Sequence, residues 1–238
     1  MKRITSLSRF LFAIAIFLTS TVQVRAQEEA SDSPVSIGAD MVSRYVFRGL
    51  DYRASPSIQP YIEAEFGNFT IGVWGAYTTS SSVENILATQ EMDLYATYKI
   101  TDLITIGVTD YFLPQESDYN YNYFDWNSDS SSHLVEGMIS FNGLENLPLS
   151  LMVGYLFLND NDNSIYVELG YSLSILDIFI GAGNGLYLTG DGNFGIMNLG
   201  ISTGKEIKIT DNFSLPVSVS LITNPEAKHI HLVFGISL

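Results

Sequence analysis

The sequence predicts an all-β protein: a single transmembrane antiparallel up-and-down β-barrel of about twelve strands. Apolar and polar residues alternate along most of the chain, which is typical of strands with one apolar face and one polar face. The chain is 46% hydrophobic with a mean hydropathy of +0.17, yet its longest apolar run after the N-terminus is far shorter than a membrane helix needs. Tight and long polar connections also alternate along the chain. This combination is typical of a barrel that crosses a membrane with strands.

The N-terminus has the pattern of a secretory signal peptide. A basic start is followed by an apolar stretch over residues 10–18 and by a small-residue cleavage pattern that ends at Ala26. That apolar stretch is too short to span a bilayer, which favours a cleaved signal peptide (residues 1–26) over a membrane anchor. Residues 27–34 are predicted to form a flexible acidic leader, and residues 35–238 the barrel.

The charge and the lack of cysteine narrow the classes of function. The formal net charge is −15, and it becomes −19 without residues 1–26, which hold four basic and no acidic residues. Such an acidic chain argues against nucleic acid or an anionic membrane surface as a partner, because both need basic patches. The chain has no cysteine, so it offers no disulfide and no thiolate chemistry. An exported chain without cysteine fits the bacterial envelope.

The first predicted strand covers residues 35–48. Its odd positions are mostly apolar, whereas Ser36, Asp40, Arg44 and Arg48 occupy even positions. In a soluble sandwich the apolar face would pack on a second sheet. In an outer-membrane barrel it would face lipid, and the charged face would line the lumen. The overall composition and the pattern of connections favour the barrel.

Eleven further strands are expected. The full set is residues 35–48, 57–66, 69–78, 89–100, 103–113, 133–141, 148–158, 164–174, 176–186, 193–209, 213–222 and 228–238. Outer-membrane barrels place tight turns at the periplasmic end and long loops outside. A periplasmic N-terminus puts the long polar connections of this chain outside. The last strand alternates most regularly, and it must close against the first because an open strand edge cannot lie in lipid.

Eight charged residues are predicted to line the lumen. By alternation they are Asp40, Arg44, Arg48, Glu63, Glu65, Glu91, Asp93 and Lys99. They could form a charged constriction that screens ions. They could equally form a network of ion pairs that fills a narrow barrel. Both interpretations require these charges to be paired, because an isolated buried charge is costly.

Several short blocks carry a resemblance to a known family. They are residues 43–49 (S-R-Y-V-F-R-G), then Gln59, Phe69, residues 72–75 (G-V-W-G) and residues 91–95 (E-M-D-L-Y). With these blocks the chain resembles the TorF-like porin family of Gram-negative outer membranes. Ala96 and Thr97 stand where that family leads us to expect glycines, and Leu238 stands where such barrels usually end in an aromatic residue. The resemblance implies a porin and names no solute.

Two other motifs are weaker indications of chemistry. Residues 200–204 match G-x-S-x-G, but they fall inside a predicted strand, whereas a nucleophile elbow needs a strand-to-helix turn. His229 and His231 share one strand face, and two such ligands make a poor metal site. No cofactor and no metal are predicted.

The leading functional hypothesis is an outer-membrane porin that passes small hydrophilic solutes or ions, with a preference for cations because its wall is acidic. The expected surroundings are outer-membrane lipid and lipopolysaccharide. The alternative is a non-conducting barrel with a structural or loop-mediated binding role, for which a lumen packed shut with paired charges would be the sign. An enzyme is not expected; it would need Ser, His and acid groups that converge at the lipid face, and His133 is the only histidine outside the last strand.

Overall fold

The computed structural model describes residues 33–51, 53–79, 90–114, 122–128, 130–144, 146–188 and 193–238. The predicted signal peptide and most of the predicted leader lie outside these residues. The strands are β1 (Val35–Val42), β2 (Ser57–Phe66), β3 (Phe69–Thr78), β4 (Gln90–Lys99), β5 (Ile104–Phe112), β6 (His133–Phe141), β7 (Leu149–Leu158), β8 (Ile165–Ser172), β9 (Asp177–Gly183), β10 (Gly195–Lys208), β11 (Ser214–Asn224) and β12 (His229–Ser237). Within the described ranges, no helix has the length and apolarity to cross a membrane.

The strands form one closed antiparallel barrel. Each strand pairs with its neighbours in sequence, and β12 pairs with β1 to close the ring. This confirms the predicted all-β, twelve-strand architecture. The connections define two ends. We call the end with the β2–β3, β4–β5, β6–β7, β8–β9 and β10–β11 connections the turn end, and the opposite end the loop end.

The two faces of the barrel wall differ as the alternation predicts. Large apolar side chains such as Ile37, Ile62 and Leu232 are exposed on the outer face. The inner face carries polar groups. Buried hydroxyl side chains on that face include Thr70, Thr105, Ser140, Ser202 and Ser220. Adjacent residues of a strand leave opposite faces, so this separation follows directly from the period of two in the sequence.

The strand bounds match the prediction within three residues, except at the end of the first strand. The predicted first strand, residues 35–48, is wrong in its second half, because β1 ends at Val42. The predicted strand 176–186 also ends early, since β9 stops at Gly183 and a 3-10 helix follows over Gly185–Tyr187. Gly185 has a φ of 59°, a left-handed conformation that breaks an extended strand.

The turn end has an uneven rim. The β9–β10 pairing stops at Asp177 and Ser202, whereas β10 and β11 stay paired as far as Lys208 and Ser214. The outer part of the β10–β11 hairpin therefore extends beyond its neighbours, and its residues 203–213 are exposed.

The seam between β1 and β12 is short. It has three register pairs, of which Asp40 with Ser237 is the outermost, whereas β1 and β2 share eight. Reciprocal backbone bonds between Ala39 and Leu238, of 3.1 and 3.0 Å, extend the seam slightly.

Candidate functional site

The candidate site is built by the connection between β1 and β2. We call residues 43–51 and 53–56 the inward segment, because its side chains contact the inner faces of strands around the barrel. Tyr45, Val46, Arg48, Leu50 and Arg53 are all buried. The alternation that predicted a longer first strand continues through residues 43–48, but here it serves a segment that leaves the wall and crosses the lumen.

A tight turn forms the tip of the inward segment. Phe47 and Leu50 bond to each other through both backbone N–H groups at 2.9 Å. Arg48 and Gly49 lie between them with φ angles of 51° and 80°, as a type I′ turn requires. A Cβ on Gly49 would lie 1.9 Å from the carbonyl oxygen of Met197 on β10, so only glycine fits. Asn224 on β11 donates to the Gly49 carbonyl at 3.2 Å.

Arg48 is fixed in the lumen by a carboxylate. Its two terminal nitrogens donate to the two carboxylate oxygens of Glu136 on β6, at 2.5 and 2.8 Å. Tyr187 and Tyr111 also donate to this carboxylate, at 2.8 and 3.2 Å. A bidentate guanidinium–carboxylate pair with its remaining acceptor sites filled is the arrangement that makes a buried ion pair stable.

Three aromatic rings enclose the same guanidinium. The Arg48 Cζ lies 4.7 Å from the ring centroid of Phe47, 4.4 Å from that of Tyr166 and 5.0 Å from that of Tyr187. These distances fall within the range of cation–π attraction. The rings also exclude water, so the charge depends on Glu136 for compensation.

A second ion pair holds the far part of the inward segment. Arg53 donates to Glu91 on β4 at 2.9 Å, and its Cζ lies 5.0 Å from the Tyr45 ring. The Tyr45 hydroxyl donates to the same Glu91 at 3.4 Å. Burial, then the charges of Glu91 and Asp93, raise the pKa of the Tyr45 phenol well above its usual value, so this hydroxyl remains a donor.

A third inner carboxylate belongs to Glu168 on β8. It accepts hydrogen bonds from Tyr166 and from the Asn198 amide, the latter at 2.9 Å. Glu168 and Asn198 are buried, and together with Glu136 and Glu91 they surround the inward segment near the loop end.

Of the eight predicted lumen residues, six lie on wall strands at alternating positions. Asp40 and Glu63 are buried on β1 and β2, and Tyr95 donates to Glu63 at 2.8 Å. Glu91 and Asp93 are buried side by side on β4. The partly exposed Glu65 and Lys99 lie near the turn end, so the structure does not bring these two to the inward segment.

The prediction that Arg44 and Arg48 lie on the first strand is wrong. Arg48 and Arg44 both belong to the inward segment, because β1 ends before them. Arg48 reaches the lumen by a different route from the predicted one. The Arg44 side chain is 41% exposed and pairs with Asp51 at 2.9 Å, outside the buried cluster.

Sequence reasoning missed Arg53, Glu136, Glu168 and Asn198. The three wall residues alternate with apolar neighbours in strands that were predicted nearly correctly, so the same rule would have placed them in the lumen. Arg53 carries no such signal, because it lies in a connection.

One side of the lumen has buried polar groups without direct partners. Among the described residues, these are Ser57 Oγ, both side-chain amide atoms of Gln59, Trp74 Nε1 and Asp93 Oδ1. They lie on β2, β3 and β4, next to one another by register, because Trp74 is opposite both Tyr61 and Asp93. Buried polar atoms normally find partners, so this is the least firmly bonded side of the site.

The two motifs with possible enzymatic chemistry lie apart from this site. Residues 200–204 are inside β10, as predicted. The His133 ring nitrogens lie 2.8 Å from Asp110 and 2.8 Å from the Tyr123 carbonyl oxygen. Both nitrogens are therefore engaged, and neither is placed to activate a serine.

Similar solved structures are porins. A KdgM porin superposes with a TM-score of 0.45 at 11% identity, covering 84% of this chain and 96% of that one. A triple mutant of Rhodopseudomonas blastica porin gives a TM-score of 0.38 at 10% identity, covering 76% of this chain. The present chain spans 55% of the length of that porin.

A family model matches residues 26–214, which is most of the chain, and its description is "Bacterial protein of unknown function (Gcw_chp)". No curated protein matches the chain. The family match does not name the TorF-like porins, so that resemblance stays a prediction. The chain belongs to the Gcw_chp family of bacterial proteins.

Proposed function

We propose that this protein is a porin-like channel of the bacterial outer membrane that passes small hydrophilic solutes or ions by diffusion. The observation that carries the proposal is a closed barrel with an exposed apolar outer face and a polar, charged inner face. An outer face of this kind suits acyl chains and the outer leaflet's lipopolysaccharide, whereas the inner face suits water. A cleaved signal peptide would deliver the chain to that membrane.

The inward segment is the constriction of the proposed channel. The Arg48–Glu136 and Arg53–Glu91 pairs hold it against the inner faces of β6 and β4, which lie on either side of β5. A solute passing from the loop end must go around it. The side lined by Gln59, Trp74 and Asp93 is the proposed route, because polar atoms without direct protein partners there can bond to water or solute.

The proposed channel prefers cations. Buried carboxylates around the constriction outnumber the two buried guanidinium groups, because Asp93 and Glu168 add to the two carboxylates that are paired with arginine. Rings of carboxylates favour cation passage. Of these two additional carboxylates, Asp93 lies beside the proposed route.

The second candidate function is a non-conducting barrel with a structural or binding role. Its support is the dense packing of charged and aromatic side chains at the loop end, where Arg48, Arg53 and Glu136 are almost completely buried. In this alternative the inward segment closes the lumen permanently.

Conductance of the purified protein in planar bilayers tests both candidates. We expect discrete ion-conducting steps with a reversal potential that indicates cation preference, and larger steps from Arg48→Ala. Arg44→Ala is the matched control, because that arginine is outside the buried cluster. Conducting steps in Arg48→Ala but not in the wild type would identify the inward segment as a plug. No steps in either protein would reject the channel.

A further inference from the structure

A polar cluster lies on the outer face of the barrel near the loop end. His133 is opposite Phe112, and Asp110 is opposite Val135, in the β5–β6 register. These positions continue the row of Ile106 and Val108, which are exposed on the outer face. His133 therefore points away from the lumen, although it is only 1% exposed.

The β5–β6 connection covers this histidine. We call residues 122–128 and 130–132 of that connection the strap. The Trp126 ring stacks on the His133 ring, with centroids 3.9 Å apart and an interplanar angle of 15°. Tyr123 packs edge-on at 4.9 Å, and Phe112 lies at 4.8 Å. The strap thus takes the place of surrounding solvent or lipid over this part of the wall.

The His133 ring joins the strap to the wall through both nitrogens. Nδ1 lies 2.8 Å from the Asp110 carboxylate on β5. Nε2 lies 2.8 Å from the backbone carbonyl oxygen of Tyr123 in the strap. Carboxylate and carbonyl oxygens only accept hydrogen bonds, so both ring nitrogens must donate. An imidazole donates from both nitrogens only as the imidazolium cation.

We propose that the strap is a pH-dependent clasp, closed while His133 is an imidazolium and released at Tyr123 when His133 loses a proton. A neutral ring that keeps its bond to Asp110 would direct an Nε2 lone pair at the Tyr123 carbonyl oxygen. The other tautomer would direct a lone pair at the Asp110 carboxylate. Either form loses one of the two bonds, and the stacked Trp126 loses its contact with a cation.

Few other ionisable groups face His133. Among the described residues these are Asp110 on β5 and the Tyr123 phenol in the strap, which donates to Asp110 at 3.2 Å. Burial, then the Asp110 charge, raise the pKa of that phenol above its usual value, so it does not titrate near neutral pH. Glu136 on β6 faces the lumen. Asn159, from the β7–β8 connection, donates to the His133 carbonyl at 3.0 Å and is uncharged.

The direction of the effect follows from the hydrogen bonds. The clasp is closed at low pH, where both ring nitrogens of His133 donate, and it opens as the pH rises. Opening would uncover the His133 ring and the Asp110 carboxylate, and would further expose Trp126, which is already 46% exposed. Phe124, which is 84% exposed, would move with the strap.

Tryptophan fluorescence of the full protein in detergent micelles tests the clasp. The difference between wild type and Trp126→Phe isolates the Trp126 signal from that of Trp74. We expect this signal to be quenched at pH 5 and to lose that quenching as the pH rises, with greater access to acrylamide. His231→Asn is the control for the histidines of β12 and should leave the transition in place. A pH-independent signal, or an unchanged transition in His133→Gln, would overturn the proposal.

A second measurement does not depend on the folding of His133→Gln. In the His229→Asn/His231→Asn variant His133 is the only remaining histidine, and nitrogen NMR of its labelled ring reports its form. Two protonated ring nitrogens at the pH where Trp126 is quenched would support the clasp. A neutral tautomer at that pH would contradict it.

Discussion

Arg48 and Glu136 are 88 positions apart in the chain, yet they form a two-bond ion pair in the lumen with nitrogen–oxygen distances of 2.5 and 2.8 Å. The pair joins the tip of the inward segment to β6. Removing one partner would leave the other as a buried, uncompensated charge, which is far more costly than losing an exposed ion pair.

We therefore expect Arg48→Ala to destabilise the barrel by about 3–5 kcal/mol, measured by urea unfolding in micelles. Arg44→Ala should cost less, because the Arg44 side chain is 41% exposed and Asp51 also accepts a hydrogen bond from the Ala54 N–H at 2.8 Å. Adding Glu136→Gln to Arg48→Ala should restore part of the loss, because the lone carboxylate is then neutral. Equal effects of the two single variants would contradict the assigned role of Arg48.

Gly49→Ala should displace the tip of the inward segment. Its new Cβ would lie 1.9 Å from the Met197 carbonyl oxygen, in addition to the strain of a φ of 80°. Gly67→Ala is the matched control, since its φ is 63° and nothing lies within 4 Å of its Cβ. The control should cost about 1–2 kcal/mol from backbone strain alone, and Gly49→Ala clearly more. Thermal unfolding of the two variants, monitored by gel mobility, measures the difference. A similar loss of stability in both would show that Met197 can move away freely.

Asp93→Asn should reduce the cation preference of the channel. The carboxylate lies on the proposed route, and unit charges 4 Å apart interact by about 1 kcal/mol in water and more where water is scarce. The permeability ratio should therefore fall by roughly a few-fold. Asp211→Asn serves as the control, since that side chain is 95% exposed at the turn end. Reversal potentials at low salt measure the effect, and an unchanged ratio in Asp93→Asn would place the route elsewhere.

A charge on the outer face tests the membrane placement. Ile201 lies on the part of β10 that pairs with β9, whereas Ile207 lies on the projecting part of the hairpin. Ile201→Arg should cost about 2–4 kcal/mol in lipid, because it places a guanidinium among acyl chains. Ile207→Arg should cost about 0–1 kcal/mol near the interface. Unfolding from liposomes measures both, and equally small effects would argue against a lipid-facing band at Ile201.

The fold was predicted from the alternation of apolar and polar residues, which has a period of two. That alternation placed six of the eight lumen candidates on the wall, because a residue such as Glu63 or Asp93 is fixed to one face by its position in the strand. The same rule failed after Val42. Residues 43–48 alternate just as a strand does. Only the glycine that follows them at position 49 indicated a turn.

Long-range pairing could not be predicted in the same way. Nothing in the local sequence joins Arg53 to Glu91 or Tyr123 to His133, since these contacts depend on how the connections fold back on the wall. His133 was noted only as a histidine outside the last strand. Its burial by Trp126 required the position of the strap, which alternation does not provide.

The three-pair seam bears on how the protein assembles. Backbone groups that meet there, such as those of Ser43 and Phe234, are 191 positions apart, whereas the other strand neighbours are joined through connections of 20 residues or fewer. Bringing such distant parts of a chain together carries the largest loop-closure entropy in the ring. The hairpins should therefore form early, and the ring should close last. The backbone amides of the β1–β12 seam should exchange with solvent sooner than those between β1 and β2.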